Sequence, residues 1–227
     1  MDLSIYDVST LLMTDKKEVE RLVKKKIIPS ENIQNKIRFN KQAVIEWALL
    51  NNKPINLSDT SHFNEFQFET ISPLLDEDSF YYNCTLTKEN YIREIVSQLK
   101  LSESIDRNII VELLVNREKL MSTAIGNGIA LPHPRIPIVL GFGKPLINFF
   151  FLTEPLELNS IDNKPVHTII LIVSQTVKQH LYILAHLSYL LSMAEFRSAL
   201  ENQKSFDEIS RLIEGLNKQR NIQPASL

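Results

Sequence analysis

One histidine of this 227-residue chain stands where a nucleophile would be expected. His133 lies between Pro132 and Pro134. The two prolines fix their own φ angles and disfavour helical backbone at the residues before them, which predicts a stiff, extended segment on an exposed loop. Because a pre-positioned imidazole loses little entropy on reacting, this placement suits nucleophilic chemistry. The alternative is an unreactive loop histidine between turns. Four of the five glycines flank the segment: Gly126, Gly128, Gly141 and Gly143.

A second histidine falls in the first turn of a long predicted helix. His180 follows the N-cap candidate Thr176 by four residues. The positive end of a helix disfavours an imidazolium, so a neutral ring there could donate a hydrogen bond to another ring or to an anion. The alternative is a core histidine satisfied by one hydrogen bond. The sequence has no histidine pair at i and i+4 and no carboxylate cluster at ligand spacing, so we predict neither a metal nor another cofactor.

An arginine and a glycine-containing turn precede His133. Arg117 ends a predicted helix and leads into the sequence STAIGNG. A guanidinium fork suits phosphate oxygens, although a cation is also favourable at any helix C-terminus. The hydroxyl of Thr123 and the amides around Asn127 would supply neutral donors to a phosphate. No Gly-Lys-Ser/Thr follows, so the turn is not a nucleotide-binding phosphate loop.

Composition and charge bound the class of protein. The chain is 44% hydrophobic and 23% charged with a formal net charge of −2, which indicates a globular protein and argues against a basic nucleic-acid coat protein. No apolar run approaches 18 residues and no signal peptide is evident, so we expect no membrane insertion. A lone cysteine, Cys84, excludes an internal disulfide and is compatible with a reducing cytoplasm.

Helical and strand patterns divide the chain into three parts. Residues 1–52 predict two short helices, a hairpin and a third helix, a winged helix-turn-helix pattern, with nine Lys and Arg against seven Asp and Glu. Residues 53–70 are polar and predict a linker. Residues 71–227 mix helices with apolar strands near 146–152 and 168–173, which predicts an α/β fold.

The segment around His133 resembles a known signature. Residues 116–133, NREKLMSTAIGNGIALPH, are similar to the pattern R-E-x-x-S-T-G-I-G-x-G-I-A-x-P-H of enzyme IIA domains of the fructose/mannitol/nitrogen-regulatory class. These domains belong to the bacterial phosphoenolpyruvate-dependent phosphotransferase system. Ala124 stands where the pattern usually has glycine. The resemblance covers about residues 71–217 and implies the type 2 enzyme IIA fold, a mixed sheet sandwiched by helices.

The resemblance also implies a function. His133 would be the phosphorylated residue, flanked by Arg117 and His180, and its phosphoryl donor would be an HPr-type phosphohistidine protein. The chain would then be a cytoplasmic phosphocarrier that needs no metal or nucleotide, rather than an enzyme turning over a small molecule. An attached helix-turn-helix, without a fused membrane or IIB segment, favours regulation. Two alternatives stay open: a DNA-binding transcription regulator with a IIA-like sensor, and a sugar-uptake IIA component donating to a separate IIB.

The first part of the chain is similar to excisionase and MerR-like modules. In that resemblance Lys16 and Lys17 lead a recognition helix and Lys36 lies at the tip of the wing, where they would contact DNA phosphates. Asp15 and Glu18 would face those phosphates unfavourably. Docking to another protein is therefore the alternative role of residues 1–52.

Overall fold

The computed structural model describes residues 2–33, 36–51, 53–55, 70–103, 105–138 and 144–222. The chain forms two compact units, which we describe separately: Met1–Phe66 with Leu181–Ser188, and Gln67–His180 with Tyr189–Leu227. Most of the predicted linker lies outside the described residues, as do Gly141 and Gly143. The domain boundaries expected from the sequence therefore stay predictions.

Eight α-helices, eight strands and two short 3₁₀ helices, Ser72–Leu74 and Glu77–Ser79, follow one another in the described ranges. None of these helices is both long and apolar enough to cross a bilayer. Their bounds are β1 Asp2–Leu3, α1 Ile5–Leu11, α2 Lys16–Lys24, β2 Glu31–Ile33, β3 Lys36–Asn40, α3 Lys41–Leu50, β4 Phe80–Cys84, α4 Tyr91–Gln98, α5 Arg107–Leu120, β5 Ala124–Gly126, β6 Ile129–Ala130, β7 Leu146–Leu156, β8 Val166–Val173, α6 Val177–Ser192, α7 Ala194–Glu201 and α8 Phe206–Ile222.

The elements of residues 2–50 surround a small apolar core. Strands β1, β3 and β2 form an antiparallel sheet in that order, and α1, α2 and α3 contribute to the same buried cluster. The side chain of Asp15 caps α2 by accepting from the N–H of Glu18 at 2.8 Å. The helices and hairpin expected from the sequence are present, and β1 is an additional strand that two residues gave no pattern to predict. Buried members of the cluster include Val8, Val19, Phe39 and Trp47.

A five-stranded sheet organises the second unit, in the order β4-β7-β8-β6-β5. The pairs β4–β7 and β6–β8 are parallel, whereas β7–β8 and β5–β6 are antiparallel. The mixed α/β sheet expected from the sequence is therefore confirmed. Strands β7 and β8 are buried along most of their length, which explains why their sequences are almost continuously apolar.

Helices cover both faces of this sheet. On one face, α4 and α5 pack on the even-numbered residues of β7, among them Phe150 and Leu152. On the other, the ring of Phe149 stacks on Phe80 at a centroid distance of 4.7 Å, and Phe80 meets Phe206 of α8 at 5.3 Å. Because side chains alternate along a strand, one apolar sequence supplies both cores. The sheet is thereby a fixed support for the segment that leaves β6.

Candidate functional site

His133 lies on a continuation of the sheet rather than on a projecting loop. After β6, the carbonyl of Pro132 accepts a hydrogen bond from the N–H of Ile172 in β8 at 3.0 Å. The His133 side chain is 0% exposed. The expectation of an exposed loop is therefore wrong, because the proline-flanked segment keeps pairing with β8 after the regular strand has ended.

The ring of His133 is oriented by its own backbone. Its Nδ1 atom lies 2.7 Å from the carbonyl oxygen of Leu131. A carbonyl oxygen can only accept, so this contact requires a hydrogen on Nδ1. In the neutral ring the lone pair then resides on Nε2, the atom on the opposite side of the imidazole. The arrangement leaves Nε2 as the ring nitrogen that could act as a nucleophile.

His180 is brought against His133. Thr176 caps α6, its hydroxyl accepting from the N–H of Gln179 at 3.1 Å, so His180 falls in the first turn as expected. The two imidazoles have a centroid distance of 5.1 Å and an angle of 49° between their planes. His180 is 2% exposed. Two histidines 47 positions apart in sequence are thus neighbours, beside the positive end of a sixteen-residue helix.

Arg117 is tied to the turn that follows α5. Its Nη1 donates to the carbonyl of Met121 at 2.8 Å. Two residues later, the carbonyl of Thr123 accepts from the N–H of Leu131 at 2.9 Å. This bond joins the turn after α5 to the segment that carries His133. Thr123, a predicted phosphate-supporting residue, is itself 2% exposed.

Glu118 is a member of this site that the sequence interpretation did not single out. Its two carboxylate oxygens each lie 3.1 Å from the N–H of Thr123, and Oε2 accepts from the Thr123 hydroxyl at 2.6 Å. The hydroxyl of Ser122 donates to Oε1 at 3.1 Å. Glu118 stands inside the signature motif, next to Arg117, but no periodic pattern marks a helix residue that folds over its own C-terminus.

Asn127 is not brought to His133. It lies at the tip of the β5–β6 hairpin, with φ +52°, whereas Thr123 and Leu131 are paired at the opposite end. Its backbone N–H donates to the carboxylate of Asp162 at 2.8 Å. Although burial opposes it, hydrogen bonding by this N–H and that of Lys164 holds the pKa of Asp162 below its ordinary value. These contacts favour a turn-forming role for Asn127 over phosphate support.

The match to known proteins covers the unit that contains this site. Residues 73–215 match the family described as "Phosphoenolpyruvate-dependent sugar phosphotransferase system, EIIA 2". That range includes Arg117, Glu118, His133 and His180.

Two curated relatives and one solved structure show the extent of the likeness. The fructose-specific EIIABC component of Bacillus subtilis is 35% identical over 147 residues, which cover 63% of this chain but only 23% of the relative. The nitrogen regulatory protein of Pseudomonas aeruginosa is 31% identical over 110 residues, 48% of this chain and 70% of the relative. The structure of the nitrogen regulatory protein IIA-Ntr from Neisseria meningitidis superposes with a TM-score of 0.55 at 25% identity, covering 63% of this chain and 98% of the other.

Proposed function

Because the chain belongs to the EIIA 2 family of the phosphoenolpyruvate-dependent sugar phosphotransferase system, we propose that it is a cytoplasmic phosphocarrier that accepts a phosphoryl group on His133. The observation that carries this proposal is the contact between His133 Nδ1 and the Leu131 carbonyl at 2.7 Å. It leaves Nε2 as the nucleophile without any base to remove a proton.

The transfer balances without a net proton movement. The Nε2 lone pair of His133 attacks the phosphorus of a phosphohistidine on an HPr-type donor. A P–N bond to His133 forms while the P–N bond to the donor ring breaks, and the donor ring, protonated on its other nitrogen, takes the electron pair and leaves as neutral imidazole. The His133 ring gains positive charge, which the Leu131 carbonyl dipole stabilises through the Nδ1 hydrogen.

Arg117 and His180 complete the proposed site. The guanidinium would neutralise the phosphoryl oxygens, since its fork geometry suits them. His180 would fix the orientation of the His133 ring or donate to the phosphoryl group, supported by the N-terminal end of α6. Thr123 stays a proposed supporting residue, although its N–H and hydroxyl both donate to Glu118, whereas the placement of Asn127 at the hairpin tip favours a structural role.

Labelling of purified protein tests the acceptor. The full chain is incubated with phosphoenolpyruvate, enzyme I and HPr, and acid-labile, base-stable phosphate is measured. We expect His133→Gln, which nearly preserves the side-chain volume, to abolish labelling, and His133→Ala to do the same. His167→Gln, in the neighbouring strand, is the matched control and should label normally. Undiminished labelling of His133→Gln would overturn the assignment.

Whether the phosphoryl group moves onward separates regulation from sugar uptake. We propose a regulatory role, supported by the likeness to nitrogen regulatory proteins over the EIIA unit. The alternative, a IIA component serving a separate IIB, is supported by the likeness to the fructose-specific component. Rapid loss of label from the phosphorylated chain to purified IIB proteins would favour uptake, and retention of the label would favour regulation.

DNA binding by residues 1–52 is a second proposed function. It is supported by the exposed side chains of Lys16 and Lys17 at the start of α2 and of Lys36 at the hairpin, within a unit whose helices and three-stranded sheet fit the winged helix-turn-helix pattern. Fluorescence anisotropy with labelled genomic DNA fragments at low salt tests it. Absence of binding by both the phosphorylated and the unphosphorylated chain would leave protein docking as the role of this unit.

A further inference from the structure

The carboxylate of Glu118 collects donors from the turn after α5. It accepts from the backbone and hydroxyl of Thr123 and from the hydroxyl of Ser122. The phenol of Tyr91 is also close to this carboxylate: burial, and then the Glu118 charge, raise the pKa of Tyr91 above its ordinary value. Hydrogen bonds to a charged acceptor are the stronger ones, so this carboxylate fixes Thr123 more firmly than a neutral group would.

Thr123 in turn holds the residue that orients His133. The Thr123 carbonyl accepts from the Leu131 N–H at 2.9 Å, and the Leu131 carbonyl contacts His133 Nδ1 at 2.7 Å. Hydrogen bonds therefore run without interruption from Glu118 through Thr123 and Leu131 to the imidazole. Each contact beyond the carboxylate uses a backbone group, so substitution of Leu131 would leave this route in place.

We propose that Glu118 is a positioning residue for phosphoryl transfer, which keeps the hydrogen of neutral His133 on Nδ1 and the lone pair on Nε2. Glu118 acts through Thr123 and Leu131 rather than by touching the phosphoryl group. The inference rests on the proposed role of His133. It gives the Thr123 hydroxyl a role other than donation to phosphate, since its single hydrogen is donated to Glu118 at 2.6 Å.

The Glu118→Gln variant separates positioning from simple stability. The amide keeps one acceptor but turns the other carboxylate position into a donor that faces the N–H and O–H of Thr123. The ring ¹⁵N shifts of His133 report its tautomer directly, without any phosphoryl donor. We expect Glu118→Gln to lower the Nδ1–H fraction and to slow phosphorylation by HPr about tenfold or more. Glu112→Gln, on an exposed turn of the same helix, is the matched control.

A second variant, Thr123→Val, controls for misfolding of Glu118→Gln and tests the chain of hydrogen bonds from Glu118 to His133. Thr123→Val removes only the hydroxyl contact to Glu118 while keeping both backbone groups. If the two residues act in one chain of contacts, the double variant should slow transfer no more than the worse single variant. Multiplying effects would contradict the inference, as would a wild-type tautomer in Glu118→Gln with a rate within about twofold of the Glu112→Gln control.

The ¹⁵N shifts and the phosphorylation rate together distinguish the positioning role of Glu118 from the phosphocarrier function on which it rests. If His133 proves not to accept phosphate, the ¹⁵N shifts still decide whether Glu118 sets its tautomer. If His133 is phosphorylated but its tautomer is unaffected by Glu118→Gln, the phosphocarrier function stands and the positioning role of Glu118 falls.

Discussion

At the scale of single residues, the His133 imidazole is oriented by a backbone carbonyl and lies beside a second histidine. The Leu131 carbonyl determines which nitrogen of His133 carries hydrogen, and His180 approaches from α6. Phosphoryl transfer to His133, as we propose it, would need no general base, because Nε2 is already unprotonated in the neutral ring. Phosphoryl transfer would also require positive charge beside the phosphoryl oxygens, and we assign that role to Arg117.

Arg117→Ala should slow phosphorylation while leaving stability nearly unchanged. A charge-assisted hydrogen bond to a phosphoryl oxygen contributes about 1.5–3 kcal/mol, so the rate should fall roughly tenfold to hundredfold. Arg117→Lys should recover only part of the rate, because an ammonium lacks the planar fork. Stopped-flow or quench-flow labelling measures the rate and thermal unfolding gives Tm.

Arg93→Ala, at an exposed position of α4, is the control for loss of positive charge. A large drop in Tm for Arg117→Ala, with normal transfer by the folded fraction, would assign Arg117 to the helix C-terminus alone. In that case its bond to the Met121 carbonyl would be its main contribution.

At the scale of secondary-structure elements, the β5–β6 hairpin leads directly into the segment that carries His133. Gly128 has φ +71°, and a Cβ built on it would lie 2.2 Å from the Cδ2 atom of His167. The imidazole of His167 is in turn fixed by a contact of 2.9 Å between Nδ1 and the Thr168 hydroxyl, and burial lowers the pKa of this histidine. The hairpin is thus packed directly on β8, the strand beside which the His133 segment runs.

Gly128→Ala should therefore destabilise the second unit. Left-handed backbone strain and displacement of the His167 ring together should cost about 2–4 kcal/mol. Gly215→Ala, within α8 and with no atom inside 4 Å of the new Cβ, should instead stabilise by about 0.5–1 kcal/mol. Urea unfolding of both variants provides the comparison. Equal stabilities would show that the hairpin yields to the added methyl group at little cost.

At the scale of the whole molecule, residues 1–52 and the rest of the chain carry net charges of opposite sign. Residues 1–52 carry a small positive excess although the whole chain has a net charge of −2. A positive unit attached to a negative one favours different partners for the two, DNA or an acidic surface for the first and a phosphocarrier protein for the second. The few lysines exposed near α2 and the hairpin limit the affinity expected of a single chain for DNA.

Binding to DNA, if residues 1–52 provide it, should depend steeply on salt. The logarithm of affinity should fall with the logarithm of salt concentration by about 0.9 for each phosphate contact. Replacing Lys16 and Lys17 with Ala should flatten this slope by about 2, whereas Lys88→Ala with Lys164→Ala, an equal loss of exposed charge outside residues 1–52, should leave it unchanged. An equal effect of both pairs would reveal non-specific attraction by the whole surface.

The sequence by itself determined which residues are candidates for chemistry in this protein. The motif from Arg117 to His133 predicts a nucleophilic imidazole and a phosphate-binding guanidinium, and the apolar strands β7 and β8 indicate the α/β fold. These features are local: prolines restrict the backbone at and just before their own positions, and strand patterns follow from side-chain alternation. The first-turn position of His180 was likewise predictable, because a threonine N-cap is a short-range signal.

Only the tertiary structure decided how these parts meet. It placed His133 on a buried continuation of β6, since Pro132 pairs with Ile172 of β8, 40 positions away. It also separated Asn127 from His133, because the hairpin puts its tip and its open end at opposite ends of the two strands. The proposed role of Glu118 could not be predicted from the sequence, because it too depends on contacts that only the fold creates. A carboxylate that folds back over a helix end has no periodic signature, and its partners become apparent only when the turn after α5 is joined by hydrogen bonds to the segment that carries His133.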